Sequence, residues 1–149
     1  MRIIKYAMRL NEDRINCLVK ESARNYPVDE INSPELVAKV INEIFDAWNQ
    51  PEEFVWMVAL DTARRIRAVF EVSHGTVGSS LVHPREIYTR AILSGAVSII
   101  LVHNHPSGTL SISEQDREVS QKIRQAGEIL GIRLDDHIII AGSNFVSTM

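Results

Sequence analysis

The spacing of apolar residues changes several times along the chain, and each change marks an element. Val37, Val40, Ile41, Ile44, Phe45 and Trp48 recur at i, i+3, i+4 and i+7, the stripe of an amphipathic helix. Ser33-Pro34 supplies an N-cap followed by proline at the first helical position, and Pro51 marks the end. Trp48 is in register with this stripe and is expected in the core. Two short apolar runs follow, Phe54 to Leu60 and Ile66 to Val72, separated by the polar Asp61-Thr62-Ala63-Arg64-Arg65, which predicts a hairpin. A short strand is predicted at residues 80–82, and Pro84 opens a helix that runs to about Ser94 and closes at Gly95. Residues 97–102 form a β-branched run bounded by Gly95 and Pro106, the signature of a buried strand. From about Ser113 to Leu130 the helical period returns, with Val119, Ile123, Ala126 and Leu130 on one face and Gly131 as the stop. Residues 132–141 and 145–148 read as closing strands around Gly142-Ser143-Asn144.

The first thirty residues are less clear. Residues 2–10 alternate weakly, as a strand would. Asn11 reads as the cap of a helix from Glu12 to about Arg24, with Ile15, Leu18 and Val19 on one side, broken by Asn25-Tyr26-Pro27. Helices set between strands predict an α/β protein, a mixed sheet flanked by helices. Residues 1–30 are read as an extension of uncertain structure and residues 31–149 as the domain.

At 149 residues and 45% hydrophobic, the chain fits a single domain able to bury a core without staples. A net charge of −3 gives no electrostatic footprint for nucleic acid, so a DNA partner is disfavoured. Cys17, the single cysteine, cannot form an internal disulfide and is expected as a buried thiol on the N-terminal helix. The N-terminal MRIIKYAMRL interrupts its apolar stretch with charges, unlike a secretion signal, and no run has the roughly 18 apolar residues of a membrane helix. A cytoplasmic location without membrane contact is expected.

The chemistry concentrates after the buried strand. His103 and His105 are two residues apart, so on a strand their side chains leave the same face. Two imidazoles at a strand end can supply two ligands of a zinc ion, and Asp116, at the start of the next helix, is the candidate third. Three protein ligands would leave one position open, as in catalytic zinc sites. Ser113-x-x-Asp116 also reads as a capping box, the ordinary role for that spacing. A base outside the ligand set is needed as well. Glu71 interrupts the apolar Val69-Phe70-Glu71-Val72 and is the candidate, although simple outward alternation would also place an acid there.

The pattern Glu71 … His103-x-His105-x7-Ser113-x-x-Asp116 resembles the JAMM motif of the JAB/MPN+ metalloproteases. Further blocks, Glu71-Val-Ser-His-Gly-Thr76, Ser80-Leu-Val-His83-Pro-Arg-Glu86, His103-Asn-His-Pro-Ser-Gly108 and Asp136-His-Ile-Ile140, are similar to the RadC-like branch. The resemblance covers about residues 33–149. It implies an α/β/α sandwich of the MPN type, related to the cytidine-deaminase architecture. It further implies one zinc ion, or another divalent transition metal, held by His103, His105 and Asp116. By the same resemblance Glu71 and Ser113 are the catalytic pair: Glu71 deprotonates the attacking water and Ser113 stabilises the tetrahedral oxyanion. The segment Thr109-Leu110-Ser111-Ile112 departs from the acidic, proline-rich loop usual in the family. Residues 1–30 lack the glycine hairpin of the helix-hairpin-helix module that precedes the domain in full-length relatives, so that module is expected to be missing.

Two functions follow from this reading. One is a zinc-dependent amide hydrolase, a metallopeptidase or isopeptidase acting on a peptide or isopeptide. The other is a DNA-associated, repair-type binding protein that keeps the metal without catalysis. A zinc deaminase is disfavoured because the Pro-Cys-x-x-Cys ligands are missing. The remaining histidines take ordinary readings first: His83 beside a helix cap, His137 at a strand end bonding to backbone, and His74 near Glu71, able to line the pocket.

Overall fold

A computed structural model of the chain describes residues 1–75 and 82–149. Among these described residues seven strands form one sheet in the order β2-β1-β4-β3-β5-β6-β7: β1 Arg2–Leu10, β2 Asn16–Asn25, β3 Glu53–Leu60, β4 Ile66–Gly75, β5 Ser98–Asn104, β6 Arg133–Ala141 and β7 Asn144–Ser147. The pairs β1/β4 and β5/β6 are parallel and the rest antiparallel, so the sheet is mixed. Helix α1, Pro34–Phe45, covers one face; α2, Pro84–Leu93, and α3, Glu114–Leu130, cover the other. The expected α/β/α sandwich is thus the observed architecture.

Alternation along the central strands fills both layers. Trp56, Val58, Leu60, Val69, Ile100 and Val102 pack beneath α1 with Val37, Val40 and Ile41. Met57, Ala59, Ala68, Phe70, Ile99 and Leu101 face the other way, onto Ile87 and Tyr88 of α2 and Ile123 of α3. Strands buried on both faces read as continuous apolar runs, which is why the core strands were legible in the sequence. Ser33 caps α1 as expected, its Oγ accepting from Leu36 N at 3.2 Å. Between α2 and α3 the packing is close enough to exclude any side chain at Gly127. A Cβ there would collide with the Ile132 carbonyl oxygen and the Tyr88 hydroxyl.

Several expectations are corrected. Residues 12–24 form no helix: β1 and β2 are a hairpin, and Asn11 builds its turn rather than a cap. Its Oδ1 accepts from Asp13 N at 2.9 Å and Ile15 N at 3.0 Å, and Arg14 takes a positive φ of 63°. The hairpin joins the sheet through β4, with Lys5 opposite Val69, and Cys17 sits half-buried on β2. Cross-strand pairing with a neighbour supplied what helical periodicity in isolation does not. Helix α1 stops at Phe45 because Asp46 turns left-handed at φ 53°, and Trp48, in a following 3₁₀ turn, is 42% exposed. Leu130, assigned to the core face of α3, is 48% exposed. The strand expected at 80–82 falls on residues 80 and 81, outside the described residues, and Val82 is not in a strand. Among the described residues no helix is long and apolar enough to cross a membrane.

Candidate metal centre

The site lies where β5 runs out toward the first turn of α3, beyond the carboxyl end of a parallel strand. Such strand ends are where α/β sheets place ligands. His103 pairs with Val55 of β3 and Ile139 of β6, so its ring leaves the α2/α3 face. His105 lies just past the strand, yet its amide still donates to Ile140 O at 2.7 Å, which keeps the backbone extended and both imidazoles on one side. The chain then turns through Pro106 and Ser107, closed by Gly108 N donating to His105 O at 3.1 Å, with Gly108 at φ 83°. Glycine suits that left-handed position.

The Ser113–Asp116 spacing does build a capping box. Ser113 Oγ accepts from Asp116 N at 3.1 Å, and Asp116 Oδ2 accepts from Ser113 N at 2.8 Å. The same box aims the Asp116 carboxylate at the histidines: Oδ1 lies 3.1 Å from His103 Nε2 and Oδ2 3.4 Å from His105 Nε2. One ligand atom from each of the three residues lies within 4.8 Å of the others. The geometry that caps α3 also presents the Asp116 carboxylate to the candidate metal site.

These residues fit a metal ion by three observations. His103 Nε2 is buried and, despite its 3.1 Å approach to Asp116, has no hydrogen-bond partner among the described residues. A buried nitrogen in that state lacks something to bind. His105 Nδ1 lies 2.7 Å from Thr109 O; a carbonyl only accepts, so Nδ1 carries the proton and Nε2 is the free ligand atom. Asp116 is 4% exposed and ionised: burial works to raise its pKa, but His103, His105 and the Ser113 amide outweigh it and hold the carboxyl far below its usual range. Hydrogen bonding to Asp116 in turn raises the pKa of His105, against its own burial. The Thr109–Ile112 loop, despite its unusual composition, supplies the carbonyl that orients His105.

The predicted base does not reach this place. Glu71 pairs across the sheet with Trp56, which packs beneath α1, whereas the imidazoles emerge on the α2/α3 side. Its carboxylate sits 3.6 Å from His74 Nδ1, and His74 stacks on Phe54 with ring centroids 5.1 Å apart. Glu71 and His74 therefore share the far face. The acid the structure does bring in is Glu53, the first residue of β3. It shares a face with Val55, and together they line the cavity of about 50 Å³ around His103, His105, Ser113 and Asp116. Its charge is among the influences that raise the His105 pKa.

Glu53 is held in place by Asn104, between the two histidines. Phe54 N donates to Asn104 Oδ1 at 2.6 Å and Asn104 Nδ2 donates to Glu52 O at 2.9 Å. Sequence reasoning passed over Glu53 because Pro51-Glu52-Glu53 looks like a solvated helix-to-strand junction. Its one available signal was an acid opening a strand that pairs with the His-x-His strand. His137, expected at a strand end, is in mid-β6 and 2% exposed, its ring 5.7 Å from that of His103 and its Nδ1 2.6 Å from Ser120 Oγ. Burial, reinforced by the nearby imidazole of His103, pushes its pKa down to about 4. His83 stands at the N-cap of α2 without a side-chain capping bond.

A mixed α/β sandwich that gathers two imidazoles and a carboxylate at the end of a parallel strand has the form of an α/β domain with a candidate metal site. Comparison with known proteins gives it a family. The RadC-like JAB domain matches residues 31–149, and the chain belongs to that family. A UPF0758 protein of Desulforudis audaxviator is 44% identical over 117 residues, covering 78% of this chain and 50% of its own length. One of Geobacter sulfurreducens is 35% identical over 144 residues, covering 97% of this chain and 58% of its own. One of Finegoldia magna is 43% identical over 118 residues, covering 78% and 52%. The chain spans about half the length of the curated relatives it matches.

Proposed function

We propose that this domain is a zinc-dependent amide hydrolase, acting on a peptide or isopeptide bond, with Glu53 in the proton-transfer role. The reading rests on the convergence of His103, His105 and Asp116 within 4.8 Å in a cavity that Glu53 also lines. His103 Nε2, His105 Nε2 and one Asp116 oxygen would hold the ion. Bound zinc supplies Lewis acidity, making a water nucleophilic near neutral pH and polarising a substrate carbonyl.

The chain's own groups supply the rest. The Glu53 carboxylate accepts the proton of the attacking water as the C–O bond forms. It then delivers that proton to the amine nitrogen as the C–N bond breaks, so one carboxylate serves as base and acid in turn. Ser113 Oγ, which accepts from Asp116 N, keeps its own hydroxyl proton free to donate to the carbonyl oxygen as negative charge develops there. Thr109 keeps the His105 tautomer correct, and the Asn104 side chain keeps the start of β3, and so Glu53, against the site.

The test is a pair of measurements on purified protein. Wild type is expected to hold about one zinc per chain and His103→Ala to lose it. Glu53→Gln is expected to keep the metal and lose turnover on a panel of peptide and isopeptide substrates. Equal zinc in wild type and His103→Ala would overturn the reading. Salt-sensitive retention of DNA with no need for Glu53 would favour the binding-protein alternative instead.

A further inference from the structure

His137 lines the same cavity but belongs to neither the ligand set nor the proton path. Its surroundings define its protonation pattern. Ser120 Oγ has one proton and two polar neighbours, the Asp116 carbonyl oxygen at 3.0 Å and His137 Nδ1 at 2.6 Å. A carbonyl oxygen only accepts, so that contact is satisfied when the hydroxyl donates to it. The proton on the second contact must then come from the imidazole. Both bonds are made together in one arrangement: His137 Nδ1–H donates to Ser120, and Ser120 donates to Asp116 O. Nε2 is left as a lone pair. No described residue is hydrogen-bonded to it, and His137 lines the cavity. The ring stands at 80° to that of His103, 5.7 Å away, and lines the cavity that the ligand triad also lines.

We infer that His137 is a substrate-positioning residue: Ser120 locks its imidazole with Nδ1 protonated, and Nε2 is the acceptor for an N–H donor of the substrate. The ligand triad, Glu53 and Ser113 together address a carbonyl carbon, its oxygen and the departing nitrogen. They leave the cavity wall formed by β6 with a single polar group, an acceptor. A ligand carrying an N–H next to its carbonyl satisfies that group, whereas an N-alkylated one leaves it buried and unpaired, the stronger source of discrimination. This role rests on the zinc-hydrolase reading above, but the tautomer does not.

Two experiments separate the claims. Long-range proton–nitrogen NMR on the metal-free protein is expected to show Nδ1 of His137 protonated and Nε2 as a lone-pair nitrogen, with the distinction blurred in Ser120→Ala. A protonated Nε2 in wild type would overturn the inference. On zinc-loaded protein, calorimetry compares acetohydroxamate, which has an N–H, with its N-methyl analogue. Wild type is expected to prefer the former, and His137→Phe to reduce that preference about fivefold, the scale of one neutral hydrogen bond. Ser120→Ala, which keeps the imidazole, is expected to reduce it partially and serves where the Phe variant folds poorly. An unchanged preference in both variants, at unchanged zinc content, rejects the positioning role. Failure of wild type to take up zinc counts against the hydrolase reading and, with it, against this use of His137.

Discussion

Asn104 and Phe54 are joined by a 2.6 Å hydrogen bond from the Phe54 amide to the Asn104 carbonyl oxygen, while the Asn104 amide reaches Glu52 O at 2.9 Å. A residue between two metal-type ligands thus grips the neighbouring strand on both sides of Glu53. Asn104 is 3% exposed, so removing its side chain strands two backbone groups. Asn104→Ala is expected to lower stability by about 2–3 kcal/mol, read from urea unfolding. It is also expected to lower turnover beyond what reduced folded population explains, since Glu53 loses its anchor. Full activity at normal zinc content would show that Asn104 does not position the acid.

The two carboxylates give opposite expectations. Glu53→Gln should cost turnover about 10²–10⁴-fold, the usual worth of a positioned general base, and leave zinc content unchanged. Glu71→Gln, whose side chain faces His74 on the other side of the sheet, should stay within about threefold of wild type by the same steady-state assay. A reversal of this order would restore the sequence-based assignment.

Zinc binding should weaken as the solution is acidified. The pKa of His105 is raised by its hydrogen bond to Asp116, so its Nε2 takes up a proton at a higher pH than a free imidazole would. That proton competes with the ion, so affinity is lost as pH falls through the raised pKa and is regained above it. Competition titrations with a chelator from pH 8 to pH 5.5 check this, and a flat profile would exclude His105 as a ligand. At saturating zinc the folded state also gains about 2.7 kcal/mol at a hundredfold excess over the Kd. Melting points should rise accordingly in wild type and stay fixed in His103→Ala.

Tyr88 offers a pH effect remote from the metal. Burial pushes its pKa up to about 12, above the ordinary tyrosine value of 10.0, and its hydroxyl donates to Ile123 O at 2.8 Å. The folded pKa exceeds the unfolded one, so the native state holds the proton longer. The contribution is complete below pH 10 and is lost as pH climbs toward about 12, on the order of 2–3 kcal/mol. Chemical denaturation across that range should show the decline in wild type and a shallower one in Tyr88→Phe.

Gly127→Ala should be among the more damaging small substitutions. The added methyl meets the Ile132 carbonyl and the Tyr88 hydroxyl, so α3 must move away from both the connection into β6 and α2. A loss of about 2–4 kcal/mol in thermal or urea unfolding is expected, although alanine favours helices elsewhere. A gain in stability would mean that this interface is looser than described.

The local code carried far in this chain. Strands β3 and β5 are apolar on both faces, α1 and α3 carry caps and periodic stripes, and His103-x-His105 with Ser113-x-x-Asp116 sits at a strand-to-helix junction. Each is written in neighbouring residues, because side-chain period and backbone capping act over a few positions. Position in space was not so written. Residues 16–25 became a strand because β1 lay beside them, and Trp48 left the core because Asp46 ended its helix early. Glu71 lies on the far side because it pairs with Trp56 and alternates with Phe70, and which side of the sheet that is depends on a relation between strands that neither displays alone. Glu53 and His137 entered the site for the same reason: pairing with β5 carries them there. The sequence by itself determined most of the elements from α1 onward and the three candidate metal-ligating residues. The tertiary structure decided which acid and which further histidine face them, because strand register, not strand composition, sets the side of the sheet on which a side chain emerges.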